Sequence, residues 1–144
     1  MSRIDRSSDA PVLAVIALGG AIGAVARYGI SLWVPHNGSI PWQTLTVNVI
    51  GCFAIGVLMV GITEIRSPHR LLRPFVGVGV LGGFTTFSTY AVEVRTLLES
   101  GQNISVGFGY LGGSVVASLV AVVLGVGVTR WVSGAARGMG ADDE

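Results

Sequence analysis

The residues able to do chemistry are few, and they stand in surroundings where polarity is otherwise scarce. Asn48 sits in Leu45-Thr46-Val47-Asn48-Val49-Ile50-Gly51. Its amide carries two N–H donors and an acceptor that need partners wherever water is excluded. Either it bonds to a neighbouring helix, or it aims a donor at an anion. Arg27 is the single formal charge between Ala10 and Thr63. An arginine inside a membrane span costs about 2.5–3.5 kcal/mol even on the generous insertion scale. Such a residue either snorkels to the nearer interface or faces a watery vestibule and attracts anions. No carboxylate stands in the middle of an apolar segment to neutralise it, which argues against a proton-coupled or cation-extruding carrier.

Two longer patterns accompany them. Gly77-Val78-Gly79-Val80-Leu81-Gly82-Gly83-Phe84-Thr85-Thr86-Phe87-Ser88-Thr89-Tyr90 puts paired glycines and paired β-branched threonines at the centre of an apolar segment, where both weaken a helix. The result is either a packing kink with hydroxyl back-bonding or a true break. A break at membrane depth exposes carbonyls that can hold a cation, and the hydroxyls and ring edges after it add positively polarised groups. Tyr110, Ser114 and Ser118 recur every fourth residue; on one helix face they are either interhelical hydrogen-bonding glue or a polar path. Beside them run Gly109, Gly113, Ala117, Ala121 and Gly125, and Gly19 and Gly23 repeat the spacing earlier, the pattern of closely packed membrane helices.

These residues must be positioned by elements that cross a bilayer. Of 144 residues, 51% are hydrophobic and 22 are glycine, and mean hydropathy is +0.70. Charged residues are 12%, against about 25% in a soluble domain. This composition excludes a disordered chain, a nucleic-acid-binding domain with a basic face and an ordinary soluble enzyme. The lone Cys52 excludes a disulfide framework and a multi-cysteine zinc site. A span needs about 20 apolar residues, and four fit: Pro11 to Val34, Trp42 to Thr63, Pro74 to about Leu98, and about Ile104 to Trp131. They form one channel domain over 11–132. The tails 1–10 and 133–144 are expected to fray. The first span is too long, and too poor in small-x-small cleavage signals, to be a signal peptide. With the N-terminus inside, seven arginines face the cytoplasm (Arg3, Arg6, Arg66, Arg70, Arg73, Arg130 and Arg137) and only Arg95 faces out. The positive-inside rule then places both termini in the cytoplasm.

Three motifs occur in order, one per span: Gly-Gly-x-x-Gly-Ala-x-x-Arg-Tyr from Gly19, Thr-Leu-x-x-Asn-x-x-Gly from Thr44, and Gly-Gly-x-Thr-Thr-Phe-Ser-Thr from Gly82. Together they resemble the Fluc (CrcB) family of small fluoride channels over roughly Val12 to Trp131. The resemblance implies an all-α membrane protein of four transmembrane helices per subunit, the third broken at mid-membrane, paired as an antiparallel, dual-topology dimer. It implies two fluoride pores and a structural Na⁺ on the central axis, held by backbone carbonyls of Gly82 and Thr85. Asn48 matches the pore asparagine and Arg27 the vestibule arginine. Phe87 matches the first aromatic-box phenylalanine, and Tyr110, Ser114 and Ser118 match the polar track. Ser88 and Thr89 supply nearby hydroxyls, and Glu93 matches a glutamate near the outer pore. Location in a bacterial plasma or inner membrane, as a multi-pass protein, goes with this family.

This chain departs from the pattern twice. Tyr90 stands where the second box phenylalanine is expected, which keeps the ring edge and adds a phenolic donor. The arginine bias is also too strong for a chain that inserts both ways, and points to a heterodimer with an oppositely oriented paralogue rather than a homodimer. The expected function is passive export of cytoplasmic F⁻, giving fluoride resistance. Donors from Asn48, Ser88, Thr89, Ser114 and Ser118 would replace the ion's water, and a narrow sleeve would exclude larger halides. No nucleotide-binding, phosphorylation or redox motif is present, so neither pump nor enzyme is expected. The alternatives are a small dimeric four-helix multidrug-type transporter, which needs a carboxylate where this chain has Arg27, and a structural membrane subunit.

Overall fold

The four apolar segments are helical in the computed structural model, which describes residues 6–34, 40–65, 70–99 and 104–139. Helix α1 covers Arg6–Trp33 and α2 covers Trp42–Val60, the latter widening into a π-helical turn, Gly61–Ile65. A π-helical segment, Pro74–Val80, leads into the short α3, Leu81–Phe84; α4 covers Ser88–Glu99 and α5 covers Ile104–Met139. The stretches long and apolar enough to cross a membrane are Asp9–Trp33, Trp42–Thr63, Pro74–Glu99 and Ile104–Gly134. Helical backbone also enters both segments expected to fray, beginning at Arg6 and ending at Met139. Arg3, Arg66 and the end residues 140–144 lie outside the described residues.

The surface is apolar and the interior is narrow. Leu13, Val25, Leu119 and Val123 are more than half exposed, whereas Val47, Val60, Phe84, Tyr110 and Ala121 form the buried core. A lipid-facing exterior is free to be as apolar as a core, so helix association rests on close packing. Glycines supply that closeness. A Cβ on Gly19 would sit 2.5 Å from the Phe75 carbonyl oxygen, and one on Gly83 would collide with the Gly20 backbone. These contacts seat the π-helical segment and α3 against α1. Gly56 and Gly125 do the same between α2 and α5, each facing the other's helix backbone. The expected small-residue stripe on α5 is therefore used in part: Ala121 and Gly125 are buried, while Gly109 and Gly113 face away from the rest of the chain.

The third span is interrupted, but not at its paired glycines. Gly82 and Gly83 are helical, and the chain becomes extended at Thr85 (φ −78°, ψ 160°). The last helical bond runs from Thr85 N–H to Leu81 O, 3.0 Å, and the Thr85 hydroxyl donates to the same carbonyl at 2.9 Å. Such back-bonding offers the backbone an alternative to the helix. Helix resumes when Ala91 N–H reaches Phe87 O at 2.9 Å, with Thr89 N–H accepted by the Thr86 hydroxyl at 3.2 Å. The glycines pack the helix; the threonines end it. The break also changes partners: the residues before it lie on α1, and those after it lie on α5.

Candidate functional site

Asn48 is the side chain that makes the break tolerable. Its Nδ2 donates to Thr86 O at 2.9 Å, and its Oδ1 accepts from Thr86 N–H at 2.9 Å. An uninterrupted helix would send that N–H to the carbonyl of Gly82 instead. A polar group unpartnered in lipid costs several kcal/mol, so the two-point clamp answers a specific debt of the fold. One N–H of the amide remains beyond the clamp. Of the two sequence alternatives for Asn48, the structure shows the bridge between two elements.

A cleft of about 280 Å³ opens beside the clamp. Asn48 and Cys52 line it from α2, Thr85, Thr86 and Phe87 from the break, Tyr90 from α4, and Ser114 and Ser118 from α5. Its walls combine an amide, hydroxyls and two aromatic rings. Phe87 and Tyr90 stand 5.7 Å apart between centroids, tilted by 47°, and Tyr90 lies 5.6 Å from Tyr110. The Tyr90 phenol does not serve the cleft: it donates to Leu111 O on α5 at 2.7 Å. Ser114 Oγ is buried without a hydrogen-bond partner. Burying a donor unsatisfied costs about 1–3 kcal/mol, and the polar group within its reach is the Tyr110 hydroxyl one turn away.

A second cleft, of about 360 Å³, shares Thr86 with the first. Arg27, Tyr28 and Ser31 of α1 line it together with Gln43, Thr44 and Val47 of α2, Thr89 and Glu93. Arg27 reaches across to the break, with Nη1 3.4 Å from Thr85 O. Glu93 accepts from the Thr44 hydroxyl at 2.7 Å and from the Tyr110 hydroxyl at 2.8 Å. These bonds join α2, α4 and α5 through one carboxylate. Gln43 Nε2 donates to Ser31 O at 3.0 Å and Val34 O at 2.9 Å, answering carbonyls that the end of α1 leaves unpaired.

The structure gathers most of the residues singled out from sequence. Asn48, Thr85, Phe87, Tyr90, Ser114 and Ser118 share the first cleft, while Arg27, Thr89 and Glu93 share the second. Tyr110 stands behind them, 5% exposed. Ser88 lines neither; its hydroxyl lies 3.3 Å from that of Thr86. Gly82 is exposed on another face, with open space where a side chain would stand. Sequence reasoning missed Thr44, Gln43, Cys52 and Thr86. The signal for Thr86 was present, since a freed backbone N–H must find an acceptor and Asn48 was the one amide in the interior of its span, Gln43 standing at its start. Nothing in the sequence paired Thr44 with Glu93, 49 residues away.

The chain matches a known family and several curated proteins over most of its length. The family model described as CrcB-like protein, Camphor Resistance (CrcB), matches residues 14–126. Fluoride-specific ion channel FluC 2 of Nocardia farcinica is 61% identical over 130 residues, 90% of this chain and 92% of its own length. Fluoride-specific ion channel FluC 1 of Streptomyces coelicolor is 54% identical, over 91% of this chain and 85% of its own. The fluoride-specific ion channel FluC of Chloroflexus aurantiacus is 45% identical, over 83% and 95% respectively.

Proposed function

Because the chain belongs to the CrcB family, we propose that it is a fluoride-specific ion channel and that the two clefts joined at Thr86 are the ion's route. The observation that carries this is the pair of clefts sharing Thr86, one beside Arg27 and the other beside the Asn48 amide. Arg27 supplies positive charge in the second cleft, and the spare Asn48 N–H supplies a donor in the first, with Ser114 and Ser118 along its wall. Fluoride is small and tightly hydrated, so a pore must replace its water with donors at close range. Apolar walls and ring edges then reject larger halides. No bond is made or broken, and flow follows the electrochemical gradient. Purified protein in liposomes loaded with fluoride should release it, as read by a fluoride electrode, and should release chloride far more slowly. Equal release of both would remove fluoride selectivity.

A dimer completes the proposal. Phe87 lines the first cleft yet is 79% exposed, so one chain leaves the pore wall open on that side. A second copy, or an oppositely oriented paralogue, would close it. The implied Na⁺ has candidate ligands at the break. Gly82 O loses its helical donor to the Asn48 clamp, and Thr85 O accepts only the 3.4 Å bond from Arg27, leaving lone-pair capacity on both oxygens. Two carbonyls are too few to replace a cation's water, and the partner's pair would supply the rest. Bound there, the ion would add a fixed positive charge tying the two breaks together. The arginine bias favours insertion with both termini in the cytoplasm of a bacterial cell.

A further inference from the structure

The two ends of the bundle carry their arginines differently. Arg95, on α4 beyond the break, has an anion of its own: its Nε lies 2.7 Å from Glu99 Oε1. At the end where α1 begins and the third span starts, Arg70 and Arg73 are exposed, and no carboxylate among the described residues pairs with either. Asp9 of α1, a described carboxylate at that end, joins no ion pair among those residues. Arg73 directly precedes the membrane-crossing stretch Pro74–Glu99. From Arg73 to the break at Thr85 the helix rises at most about 18 Å, a little over half of a hydrocarbon core of roughly 30 Å. With the break at mid-membrane, both guanidinium groups stand at the depth of lipid phosphates. Apolar surface accompanies them. Gly19 meets Phe75 and Gly79, and Gly23 meets Val80 and Phe84, so α1 runs parallel to this segment and Leu13 lies near the level of Arg73. Leu13 is 64% exposed, and Leu72, between the two arginines, is 44% exposed.

We propose that Arg70 and Arg73 hold the phosphate of an anionic phospholipid, whose glycerol and upper acyl chain lie against Leu72 and Leu13. Charge complementarity selects this occupant. The pair is two cations with no internal anion among the described residues, and the guanidinium fork matches phosphate oxygens two at a time. A zwitterionic lipid brings its own cation to the phosphate and gains less from the pair. A free anion would meet the arginines but make no use of the leucines. The contrast with Arg95 is the internal control, since Glu99 already neutralises it. A lipid held here would also fix the start of the π-helical segment, whose Phe75 carbonyl packs on Gly19. This site lies apart from both clefts and does not depend on their being an ion route.

The test uses the full chain purified in a mild detergent, with dioleoylphosphatidylglycerol as the probe and dioleoylphosphatidylcholine as its zwitterionic counterpart. Native mass spectrometry reads the most tightly retained lipid, and thermal unfolding reads its effect. The wild-type chain should retain phosphatidylglycerol preferentially and unfold at a higher temperature with it than with phosphatidylcholine. An arginine near a membrane surface contributes about fivefold to anionic-lipid affinity, so Arg70→Gln with Arg73→Gln should weaken retention roughly twentyfold. The double variant should also lose the difference in unfolding temperature, whereas Arg95→Gln should keep both. If the double variant folds poorly, Arg73→Gln alone should lose about fivefold. Equal retention of the two lipids by the wild type would overturn the proposal, as would undiminished retention in the arginine variants or an equal loss in Arg95→Gln. Displacement of the lipid by inorganic phosphate at matched concentration would overturn it too, by making the pair a free-anion site.

Discussion

At the residue scale, Asn48 is bound by two demands that pull in one direction. It satisfies the Thr86 backbone, and in the proposed pore it would also present a donor to a passing anion. Asn48→Asp keeps an acceptor for Thr86 N–H but replaces the donor with negative charge. Two like charges 4 Å apart at an effective dielectric of 20 repel by about 4 kcal/mol, so fluoride efflux should fall roughly a thousandfold. Efflux within twofold of wild type would remove Asn48 from the pore. Tyr90 makes the opposite case. Its hydroxyl ties α4 to Leu111 O at 2.7 Å, so Tyr90→Phe should cost about 0.5–1.5 kcal/mol of stability and leave fluoride over chloride selectivity intact. Thermal unfolding in detergent and an anion-competition efflux assay separate those two effects.

At the scale of elements, the interrupted span works because its halves have different partners. The π-helical segment and α3 are fixed to α1 by backbone contact at Gly19 and Gly83, whereas α4 leans on α5. Gly83→Val would drive a branched side chain into the Gly20 backbone. Overpacking costs about 1–3 kcal/mol where neighbours can shift, and here the neighbour is main chain. The expected outcome is loss of the monodisperse peak in size-exclusion chromatography. Gly82→Ala, with open space at its Cβ position, should leave that peak unchanged for the isolated chain. A reversed order of the two variants would mean that α3 is seated differently.

At the scale of the whole molecule, the open side of the cleft and the arginine bias bear on the same question. Phe87 is exposed in the single chain, and seven of the nine arginines fall on one side of the expected topology while one falls on the other. Expressed alone, the chain should insert with both termini inside. Terminal tags accessible in equal amounts from both faces would instead support a dual-topology homodimer. Replacing Na⁺ by a large organic cation should lower the thermal stability of the assembled channel, with the effect smaller for monomeric protein. A stability indifferent to Na⁺ would remove the sodium site.

Four apolar stretches separated by short polar breaks were enough to determine that the chain crosses a membrane four times, because desolvation forces every backbone group in lipid into a helix. The motifs also carried Arg27, Asn48 and the threonine-rich segment into one small region before any coordinate. Three matters were decided only by the tertiary structure. The helix ends at Thr85 rather than at Gly82, because a glycine's weakness is overridden when its missing side chain is what lets two backbones touch. The stripe on α5 is divided, since among the described residues a side chain at Gly109 or Gly113 would meet open space while Gly125 meets Gly56. The hydroxyls of Thr44 and Tyr110 converge on Glu93, a meeting of three helices that no local spacing encodes, because it depends on how those helices cross.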